Sequence, residues 1–120
     1  MLELSIERIC ELAVVECKGR IVRSEAAFKL RRAVTSLEDS QIVVLDLSEV
    51  SAIEGGGLGM LLFLERWAFD HEIRFKLFNP TKSVRARLEP VRSIRPFNII
   101  SLSEMIILLA NADSHFALAA

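Results

Sequence analysis

Histidine and cysteine, on which most metal and nucleophile chemistry draws, are nearly missing from these 120 residues, with two of each. His71 and His115 lie far apart, and neither has a Cys or His at ligand spacing, so no metal site is expected. No Gly-x-Ser-x-Gly turn and no Cys–His pairing occurs, so nothing argues for a hydrolytic enzyme. Cys10 and Cys17 read as a reduced pair, because no secretory leader precedes them. The start, Met1 to Glu7, alternates apolar and polar residues and lacks a leader's basic end and apolar run. No apolar stretch approaches the roughly 20 residues that span a bilayer; the longest runs from Met105 to Ala110. Direct membrane insertion is therefore not expected, and a cytoplasmic location is. Excess charge is also lacking. Fifteen Lys+Arg against sixteen Asp+Glu leave −1, so no global field points to nucleic acid or an anionic membrane.

What is present is a globular balance, 52% hydrophobic and 26% charged. A chain of this length buries roughly two-thirds of its unfolded surface, enough for one core without staples. One domain is expected over 1–120, with its core at about 2–110 and a tail at 111–120. Leu2, Leu4 and Ile6 alternate with Glu3, Ser5 and Glu7 as a strand, and Leu12 to Cys17 is a second one, broken at Lys18-Gly19-Arg20. Ser24 is placed to cap a helix whose stripe is Ala27, Leu30, Val34 and Leu37. Ile42 to Leu47 opens on three β-branched residues and is apolar but for Asp46, which suits a central strand buried on both faces.

A helix follows the glycines after Glu54 and reaches about Asp70; Arg74 to Phe78 is again a strand. Thr81 to Leu88 reads as a short helix and Phe97 to Ile100 as a short strand. Ser103 is the cap expected for a last helix through about Ala110. The order β-β-α-β-α-β-α-β-α predicts an α/β fold, a mixed and mostly parallel sheet of four to five strands with about four helices.

The segment Glu54-Gly55-Gly56-Gly57-Leu58-Gly59 is the most informative. A buried strand feeding a glycine turn into a helix presents backbone N–H groups that can hold an anion. A phosphate-binding loop also needs Gly-Lys-Ser/Thr, and no lysine or hydroxyl follows Gly57 or Gly59. The Gly-x-Gly-x-x-Gly dinucleotide pattern is not matched either. A tight turn that brings helix close to sheet accounts for the glycines without any cofactor.

Ile42 to Ser48, with Glu54 to Leu61 after a short spacer, resembles the STAS domain, the fold of bacterial anti-sigma factor antagonists. The family's strand of type hydrophobic-Asp-Leu-Ser leads to Asp-Ser-Ser-Gly-Leu-Gly and a helix. Gly19-Arg20-Ile21 resembles its turn before the first helix, and Phe75 to Pro80 its later strand and exit. The resemblance runs from about Ile6 to Ala110. Its departure is specific: Asp-Ser-Ser-Gly is replaced by Glu54-Gly55-Gly56-Gly57. The serine that the partner kinase phosphorylates falls on Gly56, which has no hydroxyl. Glu54 keeps an acidic group at the helix N-terminus, where it is favourable.

The resemblance implies a non-catalytic interaction module whose partner is an anti-sigma factor/serine kinase or a related regulator. The loop at 51–57 and the following helix would make the contact. Three readings follow: an antagonist never phosphorylated at this position, a subunit beside an ABC-type lipid transport ATPase, or an acceptor hydroxyl elsewhere, with Ser48 and Ser51 nearest in sequence. A homodimer is compatible with each.

At 100° steps Leu58, Leu61, Leu64 and Ala68 share one helix face, expected on the sheet. Met60, Phe63 and Trp67 stand on another, covered by a neighbouring helix or offered to a partner. The partner-binding set is therefore Ser51, Glu54, Gly55, Gly56, Gly57, Met60, Phe63 and Trp67. Charge is uneven. Arg74 to Arg95 holds seven cations against Glu89, or +6, which leaves −7 elsewhere. A solvated face or an acidic partner explains this stretch; few aromatics interleave it, so nucleic acid is not expected.

Overall fold

The computed structural model describes residues 1–91 and 96–119, with side chains through 112. Its elements are β1 (Leu2–Ile9), β2 (Leu12–Ile21), α1 (Ser24–Thr35), β3 (Ile42–Ile53), α2 (Gly56–Asp70), β4 (Arg74–Phe78), α3 (Lys82–Leu88), a 3-10 turn (Glu89–Val91), β5 (Asn98–Ile100) and α4 (Leu102–Ala119). The five strands lie in the order β1-β2-β3-β4-β5. β1 is antiparallel to β2, and every other pairing is parallel. The expected mixed, mostly parallel α/β sheet is thus present.

The apolar run of β3 explains its central place. Val43, Val44, Leu45 and Leu47 are completely buried. Val43 and Leu45 join Leu30, Val34, Leu61, Leu64, Val84 and Leu88 from α1, α2 and α3. Val44 points to the opposite face, with Leu12, Val14 and Met105 of α4. Alternation along one strand therefore feeds two apolar layers. Each fully buried Leu or Val contributes about 1.5–3 kcal/mol of transfer free energy.

Several boundaries differ from the sequence reading. β3 does not stop at Leu47, because Arg20↔Ala52 and Ile21↔Ile53 pairing carries it to Ile53. Likewise β2 is not broken at Gly19; register shifts between Glu16/Lys18 and Gly19/Arg20 absorb the irregularity within the strand. Ser24 is not a cap. Arg23 occupies that position with extended backbone, and α1 begins on Ser24 without a side-chain cap. The cap of α4 is Ser101, not Ser103. Its hydroxyl accepts from the Glu104 N–H at 3.2 Å, while the Glu104 carboxylate accepts from the Ser101 N–H at 3.3 Å. This reciprocal box leaves Ser103 inside the helix. α4 continues past Ala110 to Ala119, through the segment read as a tail. Arg92 and Arg95, and the side chain of His115, lie outside the described residues.

The two cysteines are both free. Cys10 is exposed in the turn between β1 and β2, at φ +54°. Cys17 is buried in β2 opposite Leu4.

Candidate functional site

The parallel strands β2, β3 and β4 end on one side of the sheet, and the helices that follow them begin there. This end gathers the glycine turn and the starts of α1, α2 and α3. Three hydroxyls tie it together. The Thr81 hydroxyl donates to the Val50 carbonyl at 2.9 Å and caps α3 by accepting from the Val84 N–H. The Ser83 hydroxyl donates to the Ser51 carbonyl at 2.9 Å. The exposed Ser51 hydroxyl donates to the Gly19 carbonyl at 3.3 Å, bridging β3 to β2.

The turn itself starts where the Glu54 N–H donates to the Ile21 carbonyl at 3.3 Å. The Glu54 carboxylate is exposed and accepts from Arg87 Nη2 of α3 at 2.5 Å. Solvent on both partners keeps such a pair at roughly 0–1 kcal/mol. Gly55 has φ +49° and ψ −116°, a backbone state that a side chain disfavours. Gly57 is buried under the end of β2. A Cβ there would stand 2.0 Å from the Ile21 carbonyl oxygen. Gly56, between them, is exposed, and a Cβ at that position would meet nothing within 4 Å. The three glycines are therefore not equivalent: one serves a backbone turn, one a close approach, and the middle one neither.

α2 carries the second part of the predicted surface. Leu61, Leu64 and Ala68 are buried as expected, and Leu58 is half-buried. The Met60–Phe63–Trp67 set divides. Met60 and Trp67 are half-buried and pack against the main core. Phe63 is 39% exposed, with the Arg31 guanidinium of α1 over its ring at 4.6 Å. Trp67 also stacks on His71 at 4.6 Å, and His71 Nδ1 lies 2.8 Å from the Trp67 carbonyl. The neighbouring helix thus reaches Phe63 with a cation and leaves part of the ring in solvent. Phe69, further along α2, is 69% exposed.

Asp46, the acidic residue of β3, accepts at Oδ1 from the Ser48 N–H at 3.0 Å and from the Ser48 hydroxyl. Ser48 is therefore engaged at the strand exit. Behind it, burial pushes the Cys17 thiol up to about 12, and the Asp46 charge adds to the rise. The thiol is held neutral and is unsuited to nucleophilic work. Among the described residues no group of three His, Cys, Asp or Glu could hold a metal ion. Likewise no described helix is long and apolar enough to cross a membrane.

Arg31, Thr81, Ser83 and Arg87 contact Phe63, Val50, Ser51 and Glu54, and periodicity did not single them out. Thr81, read from sequence as the first residue of a short helix, is its cap; the other contacts join positions distant in sequence.

The family model for the STAS domain matches residues 3–111. No curated protein sequence matches. The fold is similar to that of an anti-sigma factor antagonist from Mycobacterium paratuberculosis, at 18% identity and TM-score 0.75, covering 90% of this chain and 93% of that one. It is also similar to the anti-sigma factor antagonist SpoIIAA in its unphosphorylated form, at 16% identity and TM-score 0.71, covering 91% and 97%. The Bacillus cell fate determinant SpoIIAA in its phosphorylated form matches at 16% identity and TM-score 0.69, covering 89% and 99%. At such identities the likeness is one of fold.

Proposed function

We propose that this chain, which belongs to the STAS domain family, is a non-catalytic cytoplasmic module that binds an anti-sigma factor/serine kinase or a related regulatory protein. The contact surface is Ser51, Glu54 and the glycine turn, extended along α2 by Phe63. One observation carries the reading: the turn at Gly55-Gly56 stands open to solvent at the start of α2, in a fold shared with anti-sigma factor antagonists. Gly55 and Gly56 are exposed, and a Cβ at either would meet nothing within 4 Å. Met60 and Trp67 support the surface from below rather than form its outer layer.

Binding is not switched at Gly56, since glycine offers no oxygen for a phosphoryl group. The test is calorimetric titration of the full chain with the anti-sigma kinases of its own host. A stable complex with one of them is expected, and a Phe63→Asp variant should weaken it. Failure of every such kinase to bind, or capture by a transport ATPase instead, would overturn this reading.

A further inference from the structure

One surface arginine is held on a ring where others hold a carboxylate. Among the described residues Arg8, Arg66 and Arg87 pair with Asp39, Asp70 and Glu54. Arg31 of α1 is exposed and pairs with none; its guanidinium carbon lies over the Phe63 ring of α2, 4.6 Å from the centroid. The ring attracts the cation and fixes it where the two helices meet. No described group accepts from its side-chain N–H donors, so they are left for an outside acceptor.

The surroundings of Arg31 are apolar and cationic. Phe28 precedes it by three residues, a neighbour on the same side of α1, and is 53% exposed. Gly59 stands one turn before Phe63 on α2; it is exposed, and no side chain covers the ring from that position. α1 holds Lys29, Arg31 and Arg32 against Glu25 alone. Lys29 is spent on the Leu2 carbonyl, to which it donates at 2.6 Å. Aromatic residues and arginine are types enriched at interfaces. Two exposed rings beside an uncompensated guanidinium complement an acidic side chain with an apolar neighbour and repel a basic one.

We propose that Phe28, Arg31 and Phe63 form a carboxylate-binding site on the seam of α1 and α2, which takes an Asp or Glu side chain of the partner and an apolar residue beside it. The proposal rests on the functional reading above and names the chemistry of the partner's contact. The carboxylate accepts from the guanidinium N–H groups, Phe63 holds the guanidinium in place, and Phe28 covers the apolar neighbour. Lysine is a poor substitute, because an ammonium offers no planar fork to a carboxylate. The contact surface thereby crosses from α2 onto α1.

Two measurements test the site. The first uses the full chain and a blocked Leu-Glu-Leu peptide at millimolar concentration, with blocked Leu-Gln-Leu as the neutral control. In proton–nitrogen NMR spectra the Arg31 Nε–H signal should move with the Glu peptide and not with the Gln peptide. A signal that stays still, or that moves equally with both, would overturn the proposal. The second is titration with the partner kinase. Arg31→Ala should weaken binding by about tenfold or more, and Arg31→Lys should recover little of the loss. Arg32→Ala removes the same charge one residue along and should bind as the unaltered chain does. Each variant should remain folded in thermal melts. Undiminished binding by Arg31→Ala, or equal losses for Arg31→Ala and Arg32→Ala, would also overturn the proposal. If the Arg31 signal answers the Glu peptide but no kinase binds, the functional reading fails and the carboxylate site stands.

Discussion

The α-carbon of Gly57 sits so close to Ile21 that a Cβ added to it would lie 2.0 Å from the Ile21 carbonyl oxygen and 2.8 Å from its Cγ2. The same carbonyl accepts the Glu54 N–H, so the end of β2 fixes both the entry to the turn and the start of α2. Gly57→Ala must push the helix off the sheet or strain the backbone. It should cost about 1–3 kcal/mol, the range for overpacking a close contact. Urea unfolding should show a lower midpoint with unchanged slope; an unaltered midpoint would show that the helix yields freely.

Gly56→Ser is expected to behave oppositely. Open space surrounds that position, so the change in stability should stay within about 0.5 kcal/mol. Under the proposed reading it also supplies an oxygen at the position that the sequence resemblance gives as the acceptor. With the partner kinase and ATP, tandem mass spectrometry should place phosphate on residue 56. Gly55→Ser, at φ +49°, should destabilise the turn and be modified poorly. Equal modification of both variants would mean the turn is not held as described.

The difference among these glycines shows where sequence reasoning reached and where it ended. Periodicity located the core face of α2 and the strand at Arg74–Phe78, because burial on a strand or helix repeats at a fixed spacing, and an apolar run located β3. The glycine turn was legible from composition. Which of its glycines is replaceable depends on Ile21, a residue on another strand whose approach leaves no local mark. The Glu54–Arg87 pair, 33 residues apart, is hidden for the same reason. Ser24 looked like a cap because caps favour serine, yet the backbone turns at Arg23 instead.

Phe63 and Trp67, one face by helical spacing, should separate by experiment. Phe63→Asp removes a partly exposed ring and its contact with Arg31, at a cost of about 1 kcal/mol. Partner affinity should nonetheless fall about tenfold or more. Trp67→Ala removes a ring packed on the core and should cost about 2–3 kcal/mol. Thermal melts alongside binding titrations check both. Similar destabilisation by the two would make Phe63 a core residue and remove it from the surface.

Cys17 gives a pH dependence whose sign follows from its burial. Its thiol is raised from the ordinary value of 9.0 to about 12 in the folded chain. Below pH 9 the thiol is neutral in both states and the proton balance is equal. Above it the unfolded chain ionises while the folded chain does not, so stability falls as pH rises from about 9 toward 12. The slope from this one group approaches about 1.4 kcal/mol per pH unit. Urea midpoints measured at intervals from pH 8 to 11 should decline, and Cys17→Ala should remove most of that decline. A neutral alkylating reagent offers an independent check, labelling exposed Cys10 in the native chain and Cys17 only after unfolding. Rapid native labelling of Cys17, or a decline that survives Cys17→Ala, would show that the thiol is not sealed in the core.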